Sequence, residues 1–191
     1  PDFTHPVIAW HPEGDVLSIF EEKKGEIILN LYDSKLKSKN SRPLMNLEKV
    51  LSCSYNIKGD KIIFSGVNNS QTDIYLYSVL GSSQKQVTDD IYDDYDPKFI
   101  PNSNEIIFSS NRGGLKSKKA NVPNKNTFDL YKINFRNRKL TQITNTPDFN
   151  EKQPQPLSKF NYQYLCDQNG ALIVRLDHDH EGRLLKHMID T

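Results

Sequence analysis

The sequence predicts an all-β fold, a β-propeller of about four four-stranded blades, and three observations predict it. A unit of strand, turn, strand, polar loop and Tyr-bearing strand recurs along the chain. Its turns recur at about 44–45 residues, inside the range of four-stranded propeller blades. The second strand of each unit is a continuous apolar run rather than an alternating one, as expected of a strand covered on both faces. A unit this thin cannot bury its own apolar faces, so neighbouring units must stack against one another.

The first copy opens with VIAW at residues 7–10 and turns through His11-Pro12-Glu13-Gly14-Asp15. VLSIF at 16–20 is its second strand and EIILNLY at 26–32 its third. In the second copy LSCSY at 51–55 leads through Asn56-Ile57-Lys58-Gly59-Asp60 into KIIFS at 61–65, and DIYLY follows at 73–77. The third copy reads PKFI at 97–100, the turn Pro101-Asn102-Ser103-Asn104, EIIFS at 105–109 and DLYKI at 129–133. QKQVT at 84–88 and KLTQIT at 139–144 resemble each other and supply fourth strands. The fourth copy is the weakest, with strands expected at 155–157, 162–166 and 171–176. The apolar spacing of RLLKHMI at 183–189 also fits a helix, but its place after a third strand and a turn predicts a fourth strand.

Gly14 and Gly59 stand about 45 residues apart and Gly59 and Ser103 about 44. The interval from Ser103 to Asn161 is longer, because the third copy carries an insert between Gly113 and Thr127. The blades are therefore placed at 1–48, 49–90, 91–146 and 147–191, in a single partial propeller domain. Gly and Asn at the turns supply the positive φ that tight reversals need.

Composition sets the outer bounds. The 191-residue chain is 36% hydrophobic and 26% charged, with nine Tyr, nine Phe and a formal net charge of +1. That balance gives no bulk attraction to nucleic acid or to an anionic membrane, and no apolar run reaches membrane-spanning length. The opening Pro1-Asp2-Phe3-Thr4-His5-Pro6 carries neither an initiator Met nor a signal-peptide pattern, so the chain reads as a segment of something longer. Cys53 and Cys166 are far apart, which argues against a zinc site or a disulfide scaffold and leaves their redox state open.

On these residues the sequence resembles a known group. YDPKFIPNSNEIIFSSNR followed by DLYKI and KLTQIT is similar to the repeat of the TolB-like, WD40-like (PD40-type) β-propellers. The resemblance covers nearly the whole chain. It departs from the family pattern at the turns, where Ser-Pro-Asp-Gly is replaced by variants such as His11-Pro12-Glu13-Gly14. It implies a non-enzymatic protein-interaction scaffold of the bacterial periplasm or cell envelope, with a protein or peptide partner. The rest of a parent propeller, or a second chain meeting open blade edges, is the other kind of partner it implies. Behind that reading it implies two alternatives: first the propeller domain of a prolyl-oligopeptidase-type serine peptidase whose catalytic domain is absent here, and second a metal-dependent carbohydrate-lyase propeller.

The residues themselves offer few sites of chemistry. Between Thr88 and Asp96 five carboxylates and two tyrosines crowd a connection between blades. Asp90, Tyr92, Asp93, Asp94 and Tyr95 are the partner-binding candidates, since such a surface complements basic side chains. The same carboxylates suit Ca²⁺, which takes hard oxygen ligands, although the EF-hand spacing is absent. They also suit plain turn capping and solvation, and no cofactor is assigned. LDHDHEG at 176–182, with His178 and His180, is expected to be a solvated rim turn. Arg112 at the end of SSNR is expected to pair inside its blade, as the resemblance implies. The insert holding Lys116, Lys118, Lys119 and Lys125 is either a docking loop or merely long. There is no Gly-x-Ser-x-Gly and no phosphate-binding Gly loop, so no catalytic residue is assigned.

Overall fold

The computed structural model describes residues 6–112, 127–146 and 149–156, and the backbone of strands at 163–166, 172–178 and 184–188. Among the described residues all regular structure is strand. The chain divides into two compact units, Pro1–Asp90 and Ile91–Thr191.

The first unit holds two four-stranded antiparallel sheets. One is β1 (Val7–Trp10), β2 (Val16–Lys23), β3 (Glu26–Asp33) and β4 (Ser38–Leu44). The other is β5 (Lys49–Tyr55), β6 (Lys61–Asn68), β7 (Gln71–Ser78) and β8 (Ser83–Gln86). Each is a simple meander in chain order. The sequence assigned no strand to 38–44, because SKNSRPL has neither an apolar run nor an apolar alternation. It forms β4 as the outermost strand of its sheet, mostly exposed, where register comes from pairing with β3 rather than from its own side chains.

Stacking of one sheet on the next is visible within this unit. Phe20, Ile27, Leu29 and Leu31 of the first sheet share a core with Val50, Ile62, Phe64, Tyr75 and Tyr77 of the second. Phe64 is fully buried, with ring centroids 5.2 Å from Phe20 and 5.5 Å from Tyr75. The two sheets also meet at a turn. Gly59 has φ +69°, and a Cβ there would lie 1.7 Å from Nε2 of His11. The glycine is thus required twice, once for the backbone reversal and once for the imidazole lying on it.

The apolar runs behave as expected of strands covered on both faces. Ile62, Ile63 and Phe64 of β6 are all fully buried. The first sheet differs. Ile8 and Trp10 of β1 remain 55% and 53% exposed, whereas the matching positions of the second sheet, Cys53 and Tyr55, are partly buried against the first.

The second unit repeats the plan. Its first sheet is β9 (Asp94–Phe99), β10 (Glu105–Ser110), β11 (Asp129–Asn134) and β12 (Leu140–Gln142). Its second is β13 (Lys152–Pro156), β14 (Gln163–Cys166), β15 (Leu172–His178) and β16 (Leu184–Met188). Asp96, at φ +52°, marks a bulge in β9 where the register against β10 shifts.

Residues 184–188 are a strand paired with β15, which settles the choice between helix and strand in favour of the strand. β13 begins earlier than expected, at Lys152. β15 runs on to His178, so Leu176, Asp177 and His178 lie in the strand and not in the expected turn. His180, the rest of that turn and the lysine-bearing insert lie outside the described residues.

Candidate functional site

Two sheets build similar hydrogen-bond boxes where the third strand begins and the fourth ends. In β7, Asp73 accepts from Thr88 Oγ1 (3.1 Å) and from Gln86 Nε2 (3.0 Å). The same Thr88 oxygen accepts the amide of Ile74 at 2.8 Å. In β11, Asp129 accepts from Gln142 Nε2 (3.4 Å) and from the amide of Thr146 (3.0 Å), while Thr144 Oγ1 accepts the amide of Leu130 at 2.8 Å. The likeness of QVT to QIT therefore has a structural meaning. Gln86 and Gln142 reach the strand-opening aspartate, and Thr88 and Thr144 close the backbone gap left when the fourth strand ends.

Burial makes one of these boxes sensitive to pH. Removal from water pushes the Asp73 carboxyl up to about 6, against the hydrogen bond from Thr88, with added repulsion from Asp90. The folded state therefore holds this proton more tightly than the unfolded chain, whose carboxyl keeps a value of about 3.9. The stabilising contribution is complete below about pH 4 and is lost as pH rises through about 6. Burial raises Asp129 in the same direction. Asp73→Asn keeps the shape, and Gln86 can turn its amide to match. We expect chemical denaturation to show wild type losing at most about 2 kcal/mol of this contribution between pH 4.5 and 7.5. The variant should show a flatter profile over that range, and identical profiles would refute the assignment.

In the second unit the Asp-rich connection is pinned from beneath. Asp94 is fully buried, and Nη2 of Arg112 straddles its two oxygens at 2.8 and 2.7 Å. Arg112 Nε donates to Ser110 Oγ at 2.7 Å, and its backbone carbonyl accepts from Tyr131 OH at 2.8 Å. The guanidinium lies 5.2, 5.5 and 5.4 Å from the ring centroids of Tyr92, Phe108 and Tyr131. Asp93 exchanges bonds with Asn111: its amide donates to Asn111 Oδ1 (2.9 Å), and Asn111 Nδ2 donates to its carboxylate (3.2 Å). Arg112 thus pairs within its blade, as expected.

The five candidate residues fall into distinct environments. The Asp94 carboxylate is spent on Arg112. Asp93 is half-buried and held by Asn111. Tyr92 is half-buried with its ring against Arg112, and Tyr95 meets Phe128 edge to face at 5.4 Å. Ile91, next to Tyr92, is 54% exposed. Asp90 belongs to the first unit and is exposed there, raising the proton affinity of Asp73. Sequence reasoning missed Asn111 and the role of Ser110; the only signal for them was their place in the SSNR run beside Arg112.

A solvent-open cleft lies on the first unit, floored by Phe20, Ile27 and Val50 and rimmed by Glu21, Lys23, Glu48 and Lys49. Two of its acids are already engaged, Glu21 with Lys23 at 2.8 Å and Glu48 with the amide of Asn69 at 3.0 Å. No helix among the described residues is long and apolar enough to cross a membrane.

Neither a protein-family model nor a curated protein matches the sequence. Solved structures do match in fold. TolB from Acinetobacter baumannii superimposes with a TM-score of 0.62 at 15% identity, over 98% of this chain and 44% of that one. The WD40 repeats of RRP9 give a TM-score of 0.61 at 9% identity, over 95% of this chain and 50% of theirs. A puromycin hydrolase gives 0.62 at 10% identity, over 96% of this chain and 29% of that one. This chain therefore spans half or less of each of these proteins. At such identities the likeness concerns the fold, and together with the sheet order it establishes that the chain has the blade architecture of a partial β-propeller, similar to those of TolB and WD40 proteins.

Proposed function

We propose that the chain is a non-enzymatic protein-interaction platform, similar in role to TolB-type propellers of the bacterial envelope. The observation that carries this reading is the connection at Ile91–Tyr95. Asp94 and Asp93 fix its backbone from the blade side, while Ile91 is exposed and the Tyr92 ring is half-exposed. A backbone held rigid loses little entropy when a partner docks, and aromatic side chains carry much of the binding energy at interfaces.

Affinity capture from an envelope extract of the source cell tests this. Wild type should retain a protein that the Ile91→Ala/Tyr92→Ala double variant releases, with the thermal midpoint of the two chains within a few degrees. The same retained set on both chains would overturn the placement of the surface. A second reading, the propeller domain of a prolyl-oligopeptidase-type peptidase, is favoured by the shared fold of the puromycin hydrolase. It requires a Gly-x-Ser-x-Gly serine encoded in continuity with this chain, and sequencing the surrounding reading frame decides it.

A further inference from the structure

The first unit contains the β1–β2 turn twice over, as it were, because the β5–β6 turn is its repeat equivalent. The backbone bonds coincide: Gly14 N donates to His11 O (2.8 Å) and Gly59 N to Asn56 O (3.0 Å), while His11 N donates to Val16 O (2.8 Å) and Asn56 N to Lys61 O (3.0 Å). The side chains do not coincide. In the β5–β6 turn, Asp60 is neutralised by its neighbours: Asn56 Nδ2 donates to it at 2.6 Å, Lys61 Nζ lies 2.6 Å away, and Lys58 adds a further positive charge. In the β1–β2 turn the positions of Asn56, Lys58 and Lys61 are taken by His11, Glu13 and Val16. Both lysines are gone, a second acid has arrived, and among the described residues no lysine or arginine pairs with Glu13 or Asp15.

We propose that His11, Glu13 and Asp15 form a site for a first-row divalent transition metal of the Zn²⁺ class. One ligand atom from each lies within 4.8 Å of the others. His11 Nδ1 and Asp15 Oδ1 are 3.1 Å apart. Two donors bound to one ion at about 2.0–2.1 Å stand about 2.8–3.4 Å apart at angles between cis-octahedral and tetrahedral. The Glu13 amide donates to the same nitrogen at a long 3.3 Å, so Nδ1 presents its lone pair to the turn, and an ion bound there displaces that weak bond. The ring is held in this pose by packing, with Nε2 on Gly59 and Tyr55 edge to face at 5.3 Å. The imidazole nitrogen selects against Ca²⁺ and Mg²⁺, which take oxygen, and two carboxylates balance a divalent charge.

Trp10 is the chain's single tryptophan and directly precedes His11, which gives the site its own reporter. Cu²⁺ alone, titrated into the 191-residue chain, should quench Trp10 fluorescence saturably, and a large excess of Zn²⁺ added first should shift that titration to higher Cu²⁺. Glu13→Gln and Asp15→Asn lie in an exposed turn that can take them without repacking, and each should weaken quenching by about tenfold or more. His11→Asn should abolish it. Unsaturable quenching, or saturable quenching that survives in Glu13→Gln, Asp15→Asn and His11→Asn alike, overturns the site; the second result would move the metal to other histidines such as His178.

Discussion

Arg112→Ala is expected to lower the stability of the second unit by about 3–5 kcal/mol, the cost of leaving a buried charge without its partner. Asp94 has no access to solvent and Arg112 is only 5% exposed, so neither can be rescued by water. The loss reaches beyond one ion pair. The guanidinium also bonds Ser110 and lies beside three aromatic rings, Tyr92, Phe108 and Tyr131. Lys in its place keeps the charge but cannot hold Ser110 and straddle Asp94 together, so Arg112→Lys should recover only part of the loss. Asp94→Leu combined with Arg112→Met should cost less than Arg112→Ala, because an apolar pair leaves no stranded charge. Urea denaturation followed by circular dichroism reads all four chains. A loss below about 1 kcal/mol for Arg112→Ala, the range of an exposed pair, would show that the pair is not buried in solution.

The second large effect lies in the first unit. Phe64→Ala should cost about 3–5 kcal/mol, the range for truncating a buried phenylalanine. Phe64 is packed between Phe20 of the neighbouring sheet and Tyr75 of its own, so the cavity opens at the junction of two blades. Trp10→Ala removes a larger ring from an exposed position and should change stability by no more than about 0.5 kcal/mol. The contrast tests stacking itself. If the two substitutions cost the same, the sheets do not cover one another as described.

Much of the fold was legible because its signals are local. KIIFS and EIIFS are buried on both faces, and the sequence shows this as unbroken apolar runs. The turns at Gly14 and Gly59 carry positive φ, which their glycines announce. β4 was not legible, since an outermost strand needs no apolar pattern of its own. The candidate site was legible only as a stretch. Asp90, Asp93 and Asp94 read alike in sequence, yet one is exposed, one is tied to Asn111 and one is sealed under Arg112.

By itself, then, the sequence determined where most strands and reversals occur and that they recur in blade-sized units, because backbone preference and apolar periodicity act over a few residues. Only the tertiary structure decided which carboxylates keep their charge in water, which acids meet a cation or a histidine, and which apolar face stays bare. Those outcomes depend on what lies against a side chain from another strand, and residues far apart in the chain, such as Asp94 and Arg112 or His11 and Gly59, acquire that environment only when the sheets assemble.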